Sequence, residues 1–395
     1  MTKIHVKFVF LLFFTLFYEN ISASTVPKLI DSEGYVVEKH FATTKTGYIL
    51  GLHRIPRSKK AATNNATKPV VLLQHGLATS SDCWILSGRR SALAFQLADK
   101  GYDVWLANSR GTVYSSNHTR LNMSSPTDRN KFDRYSFHEK GNEDLLTTID
   151  FILAHTGVQN LALYAHSEGA SMFFALGATQ PKQLTKINSF FAFAPLVFIG
   201  NVTSPVVKYT AVANQLYLFG FLYDFAKPFV GYALKTLNGF STNFITRGYT
   251  TLPITIISGG AEGQIAGGTI SKLYKHFPSY VNKRSLSHLL QLVTSKRFQE
   301  YKPVFGRLWD MLRLYPKKYN LKKVTVPMYL YFSEADTFIN ARNLKRFDDA
   351  FVRKPKIFNV HNNFGHYDFV YGKDAGKVYE LTYEALKNHT STVKN

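Results

Sequence analysis

Residues 161–171 read LALYAHSEGAS, an apolar strand-like run, a serine set behind a histidine, and the start of a helix-forming segment that continues to Thr179. A chain that passes from buried strand to helix within a residue or two needs a sheet covered by helices on its faces. The same rhythm recurs through the sequence. Val70–Gln74 (VVLLQ) is a short apolar run ending in His75-Gly76, and Ala92–Lys100 is an amphipathic helix stopped by Gly101. Tyr102–Leu106 is the next strand, Glu143–His155 has apolar residues at helical spacing, and Phe190 begins another strand. Lys323–Phe332 and Lys356–Val360 restore the strand pattern late in the chain, and Val378–Leu386 closes as a helix. The predicted class is α/β with a mainly parallel sheet.

Between these two groups of strands the alternation stops. From Leu196 to about Val326 the chain is rich in aromatics with scattered Gly and Pro, which predicts one α/β domain carrying a large insertion. The expected divisions are 1–23 as a leader, 24–195 and 327–395 as the two parts of the domain, and 196–326 as the insertion. The whole sequence of 395 residues has 48 Lys+Arg against 26 Asp+Glu, a formal charge of +22. Seventeen of those cations but only four acids (Asp224, Glu262, Glu300 and Asp310) fall in the insertion. That excess suits an anionic surface, or only a solvated face.

Lys3 and Lys7 precede an apolar run from Phe8 to Phe17, followed by Glu19, Asn20 and small residues to Ser24. This is the build of a cleavable secretory signal, too short for a spanning helix, so no transmembrane segment is expected after its removal. Secretion argues against a nucleic-acid partner despite the charge. It also exposes five glycosylation sequons, at Asn65, Asn117, Asn122, Asn201 and Asn388. Cys83 is the single cysteine, which excludes an intramolecular disulfide.

A serine presented between strand and helix acts as a nucleophile when a histidine takes its proton, an acid orients that histidine, and two N–H groups face the oxyanion. Ser167 has the required context, and A-H-S-E-G is a variant of the G-x-S-x-G elbow of α/β-hydrolases, in which the acid and then the histidine follow in sequence. Asp336 follows the strand PMYLYF, whereas Asp348 and Asp349 fall in a helical stretch. His366 and His361 both follow the last strand, and spacing alone leaves both open. The N–H groups of Leu77 and Glu168 are the candidate oxyanion donors, with His75 as a structural residue. Two features of the elbow are unusual. Ala165 adds a methyl where a glycine allows close packing, which predicts a strained turn. Glu168 repels the oxyanion if its carboxylate points inward and is harmless if it points out.

From about Tyr35 to Tyr383 the sequence resembles the acid lipases, the gastric and lysosomal group within the α/β-hydrolase fold. The resemblance rests on GYVVEKHFATTKTGYILGLHRIP, LLQHGL, LADKGYDVWLANSRG, YSFHEKGNEDLLTTIDFIL, AHSEG, NSFFAFAPL and NFGHYDFVYGKDA. It implies serine hydrolysis of neutral lipid esters, triacylglycerols or sterol esters, at a lipid–water interface and in a secreted or lysosomal setting, without metal or organic cofactor. It implies His366 as the base, because H-x-D-F-x-x-G falls on His366 to Gly372, and Asp336 as the acid. The insertion takes the place of a cap with a lid, and its aromatic run from Tyr209 to Phe240 either lines an acyl tunnel or forms the cap's own core. This chain departs from the usual G-H-S-Q-G at Ala165 and Glu168, and from N-S-R-G-N at Thr112. A lipid-binding protein with impaired catalysis therefore stays open beside the enzyme.

Overall fold

The computed structural model describes residues 25–60, 68–216, 252–260, 264–303, 316–339, 341–360 and 363–390. The expected leader, Asn65, His361 and the aromatic run beyond Leu216 lie outside the described residues.

Nine strands form one sheet: β1 Glu38–Thr43, β2 Tyr48–Ile55, β3 Val70–Gln74, β4 Asp103–Leu106, β5 Asn117–His118, β6 Leu161–His166, β7 Ile187–Phe193, β8 Met328–Phe332 and β9 Lys356–Asn359. The order is β1-β2-β4-β3-β6-β7-β8-β9, with the short β5 paired to β2. Every pairing from β4 to β9 is parallel, while β2 is antiparallel to its three partners. The hairpin of β1 and β2 precedes the repeating units and has no strand–helix rhythm of its own. Its half-buried β1 alternates, whereas β3, β6 and β8 are buried at every residue, as strands covered on both faces must be.

The sheet faces are set by alternation within β6 to β8. Tyr164, Phe191 and Tyr329 are register partners and stack as a ladder, with ring centroids 4.4 and 4.9 Å apart. Tyr164 donates its hydroxyl to Thr382 Oγ1 at 2.9 Å, so this face is covered by the C-terminal helix Ala375–Thr390. One residue earlier, Phe190 faces the other way and stacks on Phe173 at 3.7 Å. Phe173 belongs to α3, Glu168–Thr179, which lies on the opposite face; α1 is Leu93–Asp99 and α2 Leu146–Thr156. Both faces are therefore apolar, and the chemistry is confined to the carboxyl ends of the strands.

Between β7 and β8 the described residues are mainly helical: α4 Pro205–Gln215, α5 Leu252–Ser258, α6 Gly267–His276 and α7 Lys283–Ser295. No helix among the described residues is long and apolar enough to cross a membrane.

Candidate active site

Ser167 sits between β6 and α3 with φ 58° and ψ −121°, a backbone conformation that a non-glycine residue adopts only when its surroundings impose it. Its N–H donates to Phe193 O at 3.0 Å, and its carbonyl accepts from Ala170 at 3.1 Å and Leu196 at 3.3 Å. The turn is strained, but at the serine and not through the methyl of Ala165. Ala165 lies in regular strand pairing, opposite Gln74 on one side and Ala192 on the other, and the small Ala192 leaves room for the added methyl. The close approach falls instead at Gly169, where a Cβ would stand 2.7 Å from His75 O and 2.9 Å from Gln74 O. That glycine of the elbow cannot be replaced.

Three buried side chains meet here. Ser167 Oγ is 2.7 Å from His366 Nε2, and His366 Nδ1 is 2.8 Å from Asp336 Oδ2. Asp336 Oδ1 also accepts from the N–H of Phe338 at 2.8 Å and of Ile339 at 3.4 Å, so the carboxylate is held at both oxygens. The imidazole packs against Phe338 and Tyr367, with centroids 4.8 and 5.4 Å away. Asp348 and Asp349 are exposed on the helix Ala341–Ala350. An Nδ1–H committed to Asp336 leaves Nε2 as the acceptor for a serine proton.

Two supports of this arrangement were not legible in the sequence. His166 donates from Nε2 to His366 O at 2.8 Å; burial, helped by the nearby His366, holds its pKa well below the usual histidine value, so it acts as a neutral strut. The second is the backbone at the end of α5. Ser258 O accepts from His366 N at 3.0 Å and from Thr337 N at 3.3 Å, joining the loop of Asp336 to the loop of His366. Gly259 follows with φ +77°, and a Cβ there would lie 1.9 Å from Ala335 O, so only glycine fits. The sequence signal was Ser258-Gly259-Gly260, lost in the irregular insertion.

Opposite the serine, Gly76 abuts the elbow, since a Cβ on it would come 2.7 Å from Ser167 Cβ. Leu77, the next residue, is half-buried. Among the described residues neither the Leu77 N–H nor the Glu168 N–H donates to the backbone, and Glu168 opens a helix, where N–H groups lack intrahelical acceptors. His75 braces the loop: Nδ1–H donates to Gly76 O at 2.7 Å and Nε2 accepts from Ser109 N–H at 3.0 Å. Burial depresses its pKa to about 4, which keeps the ring neutral.

Glu168 points neither at the serine nor to water. Its Oε2 accepts from Lys140 Nζ at 2.9 Å, with the two side chains 2% and 8% exposed. Lys140 opens a π-helical turn, Lys140–Leu145, that runs into α2. The pair is separated by 28 positions in sequence, and a lysine in that turn gives no hint of its partner.

Of the remaining sequence candidates, Asn117, Asn122 and Asn388 are exposed, whereas Asn201 is half-buried with its Nδ2 on Asn343 Oδ1 at 3.1 Å. Cys83 is 1% exposed, and burial raises its thiol pKa well above normal, which leaves it unreactive.

Similarity to known proteins agrees with this geometry. Residues 69–373 match the model of the alpha/beta hydrolase fold, and residues 26–88 that of a partial alpha/beta-hydrolase lipase region. The chain is 31% identical to lipase member K of Mus musculus over 92% of either chain. It is 31% identical to gastric triacylglycerol lipase of Homo sapiens, covering 89% of this chain and 87% of that one. Among solved structures, a bacterial membrane phospholipase A superposes with a TM-score of 0.51 at 13% identity, covering 91% of this chain and 89% of that one. With a sheet of this order, a strained serine at the end of β6 and these relatives, the chain belongs to the lipase family of the α/β-hydrolase fold.

Proposed function

We propose that this protein hydrolyses neutral lipid esters, of the triacylglycerol and sterol ester class, through an acyl-enzyme on Ser167. The observation that carries this reading is the unbroken contact chain from Ser167 Oγ through His366 to Asp336, at 2.7 and 2.8 Å. Ser167 Oγ attacks the ester carbonyl carbon as its proton passes to His366 Nε2, and the oxyanion is received by the N–H groups of Leu77 and Glu168. The tetrahedral intermediate collapses, the C–O bond to the alcohol breaks, and the alcohol leaves with the proton from His366. Water then gives a proton to the same nitrogen and attacks the acyl carbon, which releases the fatty acid and restores the serine. Asp336 keeps its charge throughout and stabilises the imidazolium. No step requires a metal or an organic cofactor.

Residues 196–326 serve in this reading as a cap over the serine, and two features suit it to a lipid–water interface. One is its basic composition. The other is Tyr209, Val212 and Leu216 at the end of the first cap helix, 62%, 51% and 61% exposed and spaced to share one face. A secreted or lysosomal setting, with glycans at the exposed sequons, follows from the leader pattern.

Labelling with an alkyl phosphonate fluorophore, together with turnover of tributyrin and triolein emulsions, tests the reading. The native chain should take one label and hydrolyse both, and Ser167→Ala should lose label and turnover together. A lipid-binding protein without catalysis would take up lipid yet neither label nor release fatty acid.

A further inference from the structure

The outer edge of the sheet holds a second cluster of chemically competent side chains, apart from the serine. Glu38 and His40 are two residues apart on β1 and therefore share a face, and His155 reaches them from the last turn of α2. Glu38 Oε2 lies 2.9 Å from His40 Nε2, and the two imidazole rings are 4.7 Å apart. One donor atom from each of the three lies within 4.8 Å of the others. In the strand order β1 stands four places from β6, which at the spacing of neighbouring strands is roughly 19 Å from the catalytic elbow.

Formal charge leaves room for a cation beside Arg54. Arg54, the register partner of Glu38, donates from Nη1 to Glu38 Oε2 at 2.9 Å. Its own charge is met by the buried Asp103, which accepts from Nε at 2.9 Å and from Nη2 at 2.8 Å. Two carboxylates against one guanidinium leave one negative charge over, and a carboxylate has lone pairs enough to serve both Arg54 and a second cation. His155 Nε2 faces Arg54 Nη1 at 3.4 Å, so it carries a lone pair there, which must turn from the guanidinium to reach an ion. His40 packs against Trp105 at a tilt, with centroids 5.0 Å apart, which limits the turning of its ring.

We propose that Glu38, His40 and His155 form a binding site for a divalent metal ion of Zn²⁺ character, completed by water. Two nitrogen ligands at about 2.1 Å in a tetrahedral site are roughly 3.4 Å apart, so the donors need close by little more than an ångström. His155, exposed at a helix end, can supply that movement. On ligation the proton on His40 Nε2 moves to Nδ1 or to solvent. The bound ion ties α2 to the edge hairpin, and at this distance from Ser167 its role is to stabilise the fold, not to take part in ester hydrolysis.

The test is calorimetric titration of the tag-free, EDTA-treated full chain with Zn²⁺ at pH 7.5, alongside thermal unfolding with Zn²⁺ or Mg²⁺. One Zn²⁺ should bind and raise Tm, and Mg²⁺, which prefers oxygen ligands, should do neither. His155→Gln and His40→Gln should each weaken Zn²⁺ at least tenfold while turnover of a soluble ester persists. If His40→Gln fails to fold, the exposed His155→Gln decides. No binding at 10⁻⁴ M Zn²⁺, an equal response to Mg²⁺, or Zn²⁺ binding unchanged in His155→Gln would overturn the proposal.

Discussion

Removing Lys140 should damage this protein more than removing Lys140 and Glu168 together. At 2.9 Å the attraction between the two charges is at most about 6 kcal/mol for the effective dielectric that describes protein sites. Dehydrating two ions to exposures of 8% and 2% costs several kcal/mol each, so the pair as a whole nearly breaks even. A stranded member is different. Lys140→Met leaves a buried carboxylate whose Oε1 has no hydrogen-bond partner among the described residues, with an expected loss of about 3–5 kcal/mol. Glu168→Gln strands the ammonium and should lose a comparable amount. The double variant, two uncharged side chains of similar volume, should return to within about 1–2 kcal/mol of the native chain. Catalysis should follow a different order. In Lys140→Met a free negative charge sits on the residue whose N–H is proposed to receive the oxyanion, so kcat on a soluble ester should drop by up to roughly 100–1000-fold, the scale of losing one oxyanion donor. In the double variant kcat should recover. Urea denaturation of all four proteins and kcat on 4-nitrophenyl butyrate make up the assay. If the two single losses simply add in the double variant, the pair is not coupled and the reasoning fails.

Burial lifts the pKa of Asp368 to about 7, with the charge of Asp336 adding to the rise and the Gly365 N–H opposing it. The folded chain then keeps a proton that the unfolded chain gives up near pH 4, so stability from this group is full below pH 4 and lost as pH rises to 7, by up to about 4 kcal/mol. Asp368→Asn should flatten urea midpoints between pH 4 and 7 and make the protein more stable than native at pH 7; an unchanged slope would count against this. Gly259→Ala, forcing a methyl onto Ala335 O at a positive φ, should lower stability by about 2 kcal/mol or more and reduce kcat with little change in KM. An unaltered kcat in that variant would mean that the Ser258 contacts do not position His366. Adsorption to anionic vesicles should weaken with added salt and with Tyr209→Ser, while turnover of a soluble ester stays constant; adsorption indifferent to both would remove the cap from interface binding.

The chain's local chemistry made some of this readable in advance. Ser167 and Asp336 follow strands buried at every residue, and continuous apolar runs ending in polar loops are what periodicity detects best; His366 follows β9, which is half-buried at its centre and exposed at its ends, and there spacing left His361 open beside it. The β1–β2 hairpin was less visible because its alternation is partial and it lies outside the repeating units. The fate of the Glu168 side chain depended on Lys140, the anchoring of His366 on a carbonyl of Ser258, and the proton on Asp368 on how deeply it is buried. These are contacts between distant segments, and no window of sequence contains both partners. Ala165 misled for a related reason: its tolerance is granted by Ala192 on the neighbouring strand.

The carbonyl of Ser258 also bears on how such enzymes can be recombined. The last turn of α5, from within the insertion, is stitched to both Thr337 and His366. Replacing everything between the ends of β7 and β8 would therefore remove part of the scaffold of His366 along with the segment proposed as a cap. If residues 196–326 are otherwise exchanged as a unit, a chimera that retains 252–260 from the recipient should keep His366 in register.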